Sequence, residues 1–431
     1  MTKKDICSLI VQAIKDFLST PERLETFRAK NRFVRKRLLS MTHVIMFLLF
    51  SNSASMFTNL ANFKREFCEI ASFPKRISKQ AISHARQGIN PQLFSELFNI
   101  SVDMFYQNLP KRKDWHGFHV FAIDGSKFEL PNSKSNFDYF GELFNTRNPE
   151  QKFTQALASV VYDVLDDYIV HASINKYLAS ERASAMQHLQ TLEDLGIYQN
   201  SVVVFDRGYY SEKMFRYCVS HEHHCVMRLK ENYNFSKTAG KKKADFVSIL
   251  AGNPKEGTED ISIRIIAVML DSGEYEYLAT NIFDTSFTPE MFSELYFLRW
   301  PVEQKYMELK ERIRIEDFNG ATSVSIIQEF YIGMLLSNLS SLIKNSADDE
   351  IEGKRNPNNK YRYQSNRSFV IGQMKLMLPK ILFELAPLSE IDTIFYDACQ
   401  TRSQLQPGRK FKRKEKKDNK RTHFRNRKTA Y

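Results

Sequence analysis

FHVFAIDGS, residues 118–126, and SVVVFDRGYYS, residues 201–211, share one pattern. Each is a short run of β-branched, aromatic and other apolar residues that closes on an aspartate, Asp124 or Asp206, with a glycine within the next two positions. Such runs read as buried strands. A carboxylate at the carboxyl end of a strand stands where open α/β sheets place their sites. If the two strands are neighbours, both carboxylates can hold a hard cation through oxygen. One strand-end aspartate is more often a turn former; the repetition singles this pair out.

Outward from these two runs, residues 153–162 and 168–174 read as a pair of strands joined by a turn rich in aspartate (Asp163, Asp166, Asp167). Residues 180–195 form an expected helix with Ser180 as its cap, residues 211–219 a second helix, and residues 225–229 a further strand. The order of strand, strand pair, helix, strand, helix, strand predicts a mixed α/β sheet. Alternating patterns in 261–283 predict a small β insertion at about 231–285, preceded by a basic loop at 237–243, and the whole catalytic unit is expected to span 117–345. Residues 1–116 read as a helical domain. Within it, Ser78 caps a helix whose Ala81, Ile82 and Ala85 are expected to face inward, leaving Lys79, Gln80, Ser83 and Arg86 to meet phosphates and base edges as a recognition helix does. Residues 326–343 are an apolar helix, of the core or of a dimer contact; 346–408 read as helical and 409–431 as a basic tail.

Charge supports a polyanionic partner. The chain of 431 residues carries +12 in all, yet residues 1–116 and 409–431 each carry +10, leaving −8 for the middle. Basic ends suit nucleic acid, and an acidic body beside them makes sense if its carboxylates hold cations. Removing residues 409–431 is expected to weaken DNA binding and flatten its salt dependence. Five scattered cysteines are no disulfide framework and fit a reducing cytoplasm. The N-terminus carries no signal-peptide pattern, and the apolar run at 44–50 is far short of the roughly 20 residues of a membrane span, so no membrane partner is expected.

A third constellation completes the pattern. Residues 296–310 read YFLRWPVEQKYMELK. At about 100° per residue, Tyr296, Arg299, Glu303 and Lys310 fall within an arc of about 60° on one helix face. Pro301 suits a first helical position better than an interior, so the helix is expected to kink or restart there, with Glu303 in a first turn.

The spacing Tyr-x2-Arg-x3-Glu-x6-Lys at Tyr296, Arg299, Glu303 and Lys310 resembles the signature of the IS-four family of insertion-sequence transposases. The segments IDGS ending at Ser126, DRGY ending at Tyr209, and LATN ending at Asn281 are similar to others of that family, and the likeness runs over roughly residues 75–345. It implies a ribonuclease-H-like catalytic core with a β insertion, and a DDE transposase that cuts and joins DNA. Asp124, Asp206 and Glu303 would be both the catalytic residues and the ligands of two Mg²⁺ ions, with Mn²⁺ as a substitute, and Asp124 is expected to bridge the pair. Arg299, Lys310, Tyr296 and Arg207 would hold DNA near the scissile phosphate. The partners implied are double-stranded DNA, both the terminal inverted repeats and the target, and a second copy in a homodimeric synaptic complex. Tyr275 and Tyr277 are candidates for an aromatic that holds a flipped base. The competing readings are a catalytically inactive, domesticated DNA-binding regulator and a nuclease of the same fold without strand transfer. Cys218, His221, His223, His224 and Cys225 fit no usual zinc spacing, and Asp163, Asp166 and Asp167 read as a turn.

Overall fold

The computed structural model describes residues 1–34, 39–51, 55–67, 73, 76–144, 148–242, 245–270 and 273–405. The tail at 409–431 lies outside them. One eight-stranded mixed sheet organises the chain. Its strands are β1 (His119–Glu129), β2 (Gln155–Asp163), β3 (Tyr168–Lys176), β4 (Ser201–Phe205), β5 (His224–Arg228), β6 (Phe246–Leu250), β7 (Ile261–Met269) and β8 (Tyr275–Thr280). They lie in the order β3-β2-β1-β4-β5-β8-β7-β6. β1, β2 and β3 form an antiparallel meander, while β4 and β5 run parallel to β1. The central strands read as continuous apolar runs because both faces are covered: every residue of β4 is buried.

Two expectations about sheet and strand are corrected. The stretch from 231 to 285 is no separate piece. β8 pairs with β5 and carries β7 and β6 onward, so these strands extend the main sheet, satisfying the edge that β5 would otherwise leave unpaired. The basic loop begins as a helix, Asn234–Lys242. Likewise β1 does not end at Asp124 but runs on to Glu129, because β2 continues to pair with it as far as Glu129↔Gln155.

The helices that matter below are α1 (Lys3–Leu18), α2 (Lys79–Arg86), α3 (Gln92–Asn108), α4 (Glu181–Asp194), α5 (Glu212–Ser220), α6 (Pro289–Phe297), α7 (Trp300–Glu308), α8 (Ser323–Gly353), α9 (Arg367–Leu382) and α10 (Glu390–Gln400). Serine caps set α4 and α2 as expected, Ser180 Oγ accepting from Ala183 N, and Ser211 Oγ accepts from Met214 N at the start of α5. Ser78 Oγ accepts from Ala81 N at the start of α2.

The N-terminal and C-terminal helices pack on one another and on the sheet. α1 packs on α3, α8, α9 and α10, and one hydrophobic core runs from Ile6 to Cys399. α3 lies on the edge strand β3, where Phe105 stacks on Tyr168 at 4.0 Å and Tyr168 donates to the Ser101 carbonyl at 2.9 Å. α8 crosses the boundary expected at 345. It is long and apolar enough to pass for a membrane span, yet 78% of its most apolar window is buried in the fold. Its Asn338 amide stands in for a strand partner, accepting from Ile169 N and donating to Ile169 O, each at 2.9 Å, beside the bulge that disturbs β2–β3 pairing.

Candidate active site

Register brings the two aspartates together. β1 and β4 are parallel, and Ile123 lies opposite Phe205, so Asp124 and Asp206 are the next pair along. Adjacent strands lie about 4.8 Å apart, and alternation turns both side chains to the face opposite Ile123 and Phe205. Asp206 follows the last residue of β4, and Asp124 stands where β1 loses its β4 partner.

The helix expected over 296–310 breaks where Pro301 requires. α6 ends at Phe297, and α7 starts at Trp300 with Glu303 in its first turn. The four signature residues are therefore split: Tyr296 lies in α6, Arg299 in the turn that caps α7, Glu303 in the first turn of α7 and Lys310 in the π-turn at Leu309–Ile313. α6 and α7 are pinned to the aspartates by two tyrosines. Tyr296 OH donates to Asp206 Oδ1 at 3.2 Å. Tyr306 OH donates to the Asp124 carbonyl at 2.9 Å and is 3.2 Å from the Ala158 carbonyl. Arg299 Nη2 donates to Glu303 Oε1 at 2.6 Å, and the buried Arg299 Nε has no hydrogen-bond partner among the described residues. α7 is anchored on its far side: Lys305 pairs with Asp167 at 2.7 Å and with Glu308 at 3.1 Å, and Arg367 of α9 bridges Asp167 and Glu308 at 2.5 and 2.6 Å. Asp167 thus belongs to a turn, as expected, and to this anchor.

Burial dominates the electrostatics. Desolvation pushes the Asp124 carboxyl up to about 7, against the Gly125 backbone N–H that donates to it at 2.9 Å and against the charge of Arg299. Asp206 and Glu303 push it further in the same direction. All-oxygen donors around a carboxyl so poorly compensated fit a hard divalent cation. Among the described residues no three acidic, His or Cys side chains converge to hold a metal; Glu303 accepts from Arg299 and Asp206 from Tyr296.

The remaining expected contacts divide. Lys79, Gln80, Ser83 and Arg207 are exposed. Arg86 is not: it is fully buried, donating to Gln328 Oε1 at 3.0 Å, Glu329 Oε1 at 2.7 Å and the Ser325 carbonyl at 3.2 Å. It fastens α2 to α8, and Ala81 is the exposed residue in its place. Lys310 Nζ donates to the Lys127 carbonyl at 2.6 Å and lies 3.5 Å from Glu316, three residues along β1 from Asp124. Tyr275 and Tyr277 are half-buried within β8 of the main sheet. Sequence reasoning missed the Arg228–Glu276 pair at 2.9 Å between β5 and β8. Burial raises the Glu276 carboxyl, Arg228 and Arg299 lower it, and Asp206 is close enough to act on it. It also missed Glu181 and Arg182 at the start of α4.

Residues 115–339, just over half of the chain, match the family described as the transposase DDE domain. The chain belongs to the DDE transposase-domain family. Asp124, Asp206 and Glu303 all fall inside the matched DDE domain. Over 139 residues the chain is 29% identical to InsZ of Escherichia coli (strain K12), described as a candidate transposase; the match covers 32% of this chain and 44% of InsZ, so it spans less than half of that relative. Among solved structures it is similar to the piggyBac transposase in its synaptic complex with hairpin DNA, at 9% identity and a TM-score of 0.48 over 91% of this chain and 84% of that one.

Proposed function

We propose that this DDE protein is the transposase of an IS-four-type insertion sequence, cutting DNA at the element's terminal repeats and joining the freed 3′ ends to target DNA. The observation that supports the reading is the β1–β4 register, whose last pair, Ile123 and Phe205, immediately precedes Asp124 and Asp206, while Tyr306 of the helix of Glu303 donates to the Asp124 carbonyl. The order β3-β2-β1-β4-β5, with its antiparallel meander and two parallel strands, is in keeping with a ribonuclease-H-like core.

Asp124, Asp206 and Glu303 would hold two Mg²⁺ ions, which supply Lewis acidity to phosphate oxygens and acidify water. The chain's own groups do the rest. Tyr296 ties α6, and Tyr306 ties α7 with its Glu303, to the strands of the two aspartates, with Arg299 in the turn between the helices. Arg299, held charged and already beside the carboxylates, offers planar donors to a phosphate oxygen. Lys79, Gln80, Ser83 and Arg207 are exposed for DNA contact, and a second copy would pair the two element ends.

The test is Mg²⁺-dependent nicking of duplexes that carry the terminal repeats of the element encoding this chain. Wild type is expected to nick them, and Glu303→Gln is expected to bind them without nicking. Equal cleavage by both would remove Glu303 from the site; binding without cleavage by either would favour an inactive DNA-binding regulator.

A further inference from the structure

Glu181 opens α4, directly after its cap Ser180. Its carboxylate lies over two glycines that flank the aspartates. A Cβ at Gly125, next to Asp124, would meet Glu181 Oε1 at 3.3 Å, and a Cβ at Gly208, two residues past Asp206, would meet Oε2 at 3.9 Å. The carboxylate therefore spans from the strand of Asp124 to the turn of Asp206. Its neighbour holds it there. Arg182 Nε donates to the Tyr209 carbonyl at 3.2 Å, and Nη2 donates to the carbonyls of Gly208 and Tyr210, each at 3.0 Å. One guanidinium thus ties the first turn of α4 to the turn that carries Asp206.

A second observation points to something bound there. Tyr209 is 2% exposed, and its hydroxyl makes no hydrogen bond to any described residue. The Ser159 hydroxyl is close enough to act weakly on the phenol, but it donates to the Asp124 carbonyl at 3.3 Å and meets His188 Nε2 at 2.9 Å, so it offers Tyr209 no hydrogen bond of normal geometry. Asp124, Glu181 and Asp206 all act electrostatically on the Tyr209 hydroxyl. A buried phenol that donates to nothing is unfavourable unless a ligand or ordered water takes the bond.

We propose that Glu181 is a fourth carboxylate of this site, binding the divalent cations directly or through their water from the side of α4. The proposal rests on the reading of Asp124 and Asp206 as cation ligands. An acidic residue in a first helical turn also complements the helix dipole, and that role alone makes a different prediction.

The experiment is Mn²⁺ titration of the full chain without DNA, by calorimetry, alongside thermal melting in EDTA, for wild type, Glu181→Gln, Glu181→Asp and Asp124→Asn. Glu181→Gln is expected to bind Mn²⁺ roughly 10–100-fold more weakly, the range for altered metal surroundings, with its melting temperature in EDTA unchanged. Glu181→Asp, which keeps the charge one methylene short, is expected to fall between wild type and Glu181→Gln; if Glu181→Gln does not fold, unchanged affinity in Glu181→Asp overturns the proposal. Wild-type affinity in Glu181→Gln, with or without a lower melting temperature in EDTA, overturns it while a loss in Asp124→Asn leaves the two aspartates in place. Unchanged binding in both Glu181→Gln and Asp124→Asn, or no binding by wild type, overturns the reading of the site and the inference with it.

Discussion

Asp124→Asn should stabilise the metal-free protein while abolishing its chemistry. Burial raises the Asp124 carboxyl from its ordinary 3.8 to about 7. A carboxyl raised by folding stabilises the native state fully below its unfolded value, and that contribution is lost as pH climbs through its folded value. Wild type in EDTA should therefore lose stability between about pH 4 and pH 7 through this group. The gap from 3.8 to about 7 corresponds to about 4 kcal/mol at 1.36 kcal/mol per decade. An asparagine has no charge to desolvate and lifts that slope. In urea titrations in EDTA, Asp124→Asn and wild type should match near pH 4, and the variant should be more stable by about 2–4 kcal/mol at pH 8. Mg²⁺ should restore wild type and leave the variant unmoved. Parallel pH profiles for the two proteins would refute the reasoning, because the carboxyl would then be solvated and the site less enclosed than its neighbours imply.

Arg367→Met removes one of the two cations that Glu308 and Asp167 share and leaves Lys305 with both; urea unfolding should show a loss of about 1.5–3 kcal/mol, and a loss below about 1 kcal/mol would mean that the anchor of α7 is solvated. Tyr306→Phe deletes a hydroxyl held between two β-strand carbonyls; stability should fall by about 1–2 kcal/mol, and single-turnover cleavage should slow while affinity for DNA persists. Arg86→Ala and Lys79→Ala should separate cleanly. The first removes a buried fastener and lowers stability with the salt slope of DNA binding intact, whereas the second leaves stability alone and reduces the slope by about 1.

How far the sequence leads can be judged at particular residues. Caps and strands were legible because their signals are local: Ser180 and Ser78 precede helical runs, and the apolar runs before Asp124 and Asp206 need no partner to be recognised. The break at Pro301 was legible for the same reason. What failed depends on partners far along the chain. Arg86 looked like an exposed contact because Gln328 and Glu329, which bury it, lie more than 200 residues away. The strands after β5 looked like a separate insertion because edge pairing leaves no mark on composition. Glu181 carries no local signal beyond a helix start; only the order of the sheet and the grip of Arg182 bring it over Gly125 and Gly208.

The central claim is that one centre cuts an element end and then joins it. The most direct measurement is strand transfer by the full chain, using a pre-cleaved terminal repeat with a free 3′-OH and a supercoiled target plasmid in Mg²⁺. Wild type should join the end to the plasmid, and both a 3′-deoxy end and the Asp206→Asn variant should give no joined product. Joining that survives Asp206→Asn, or nicking of intact ends with no joining by wild type, would contradict the account.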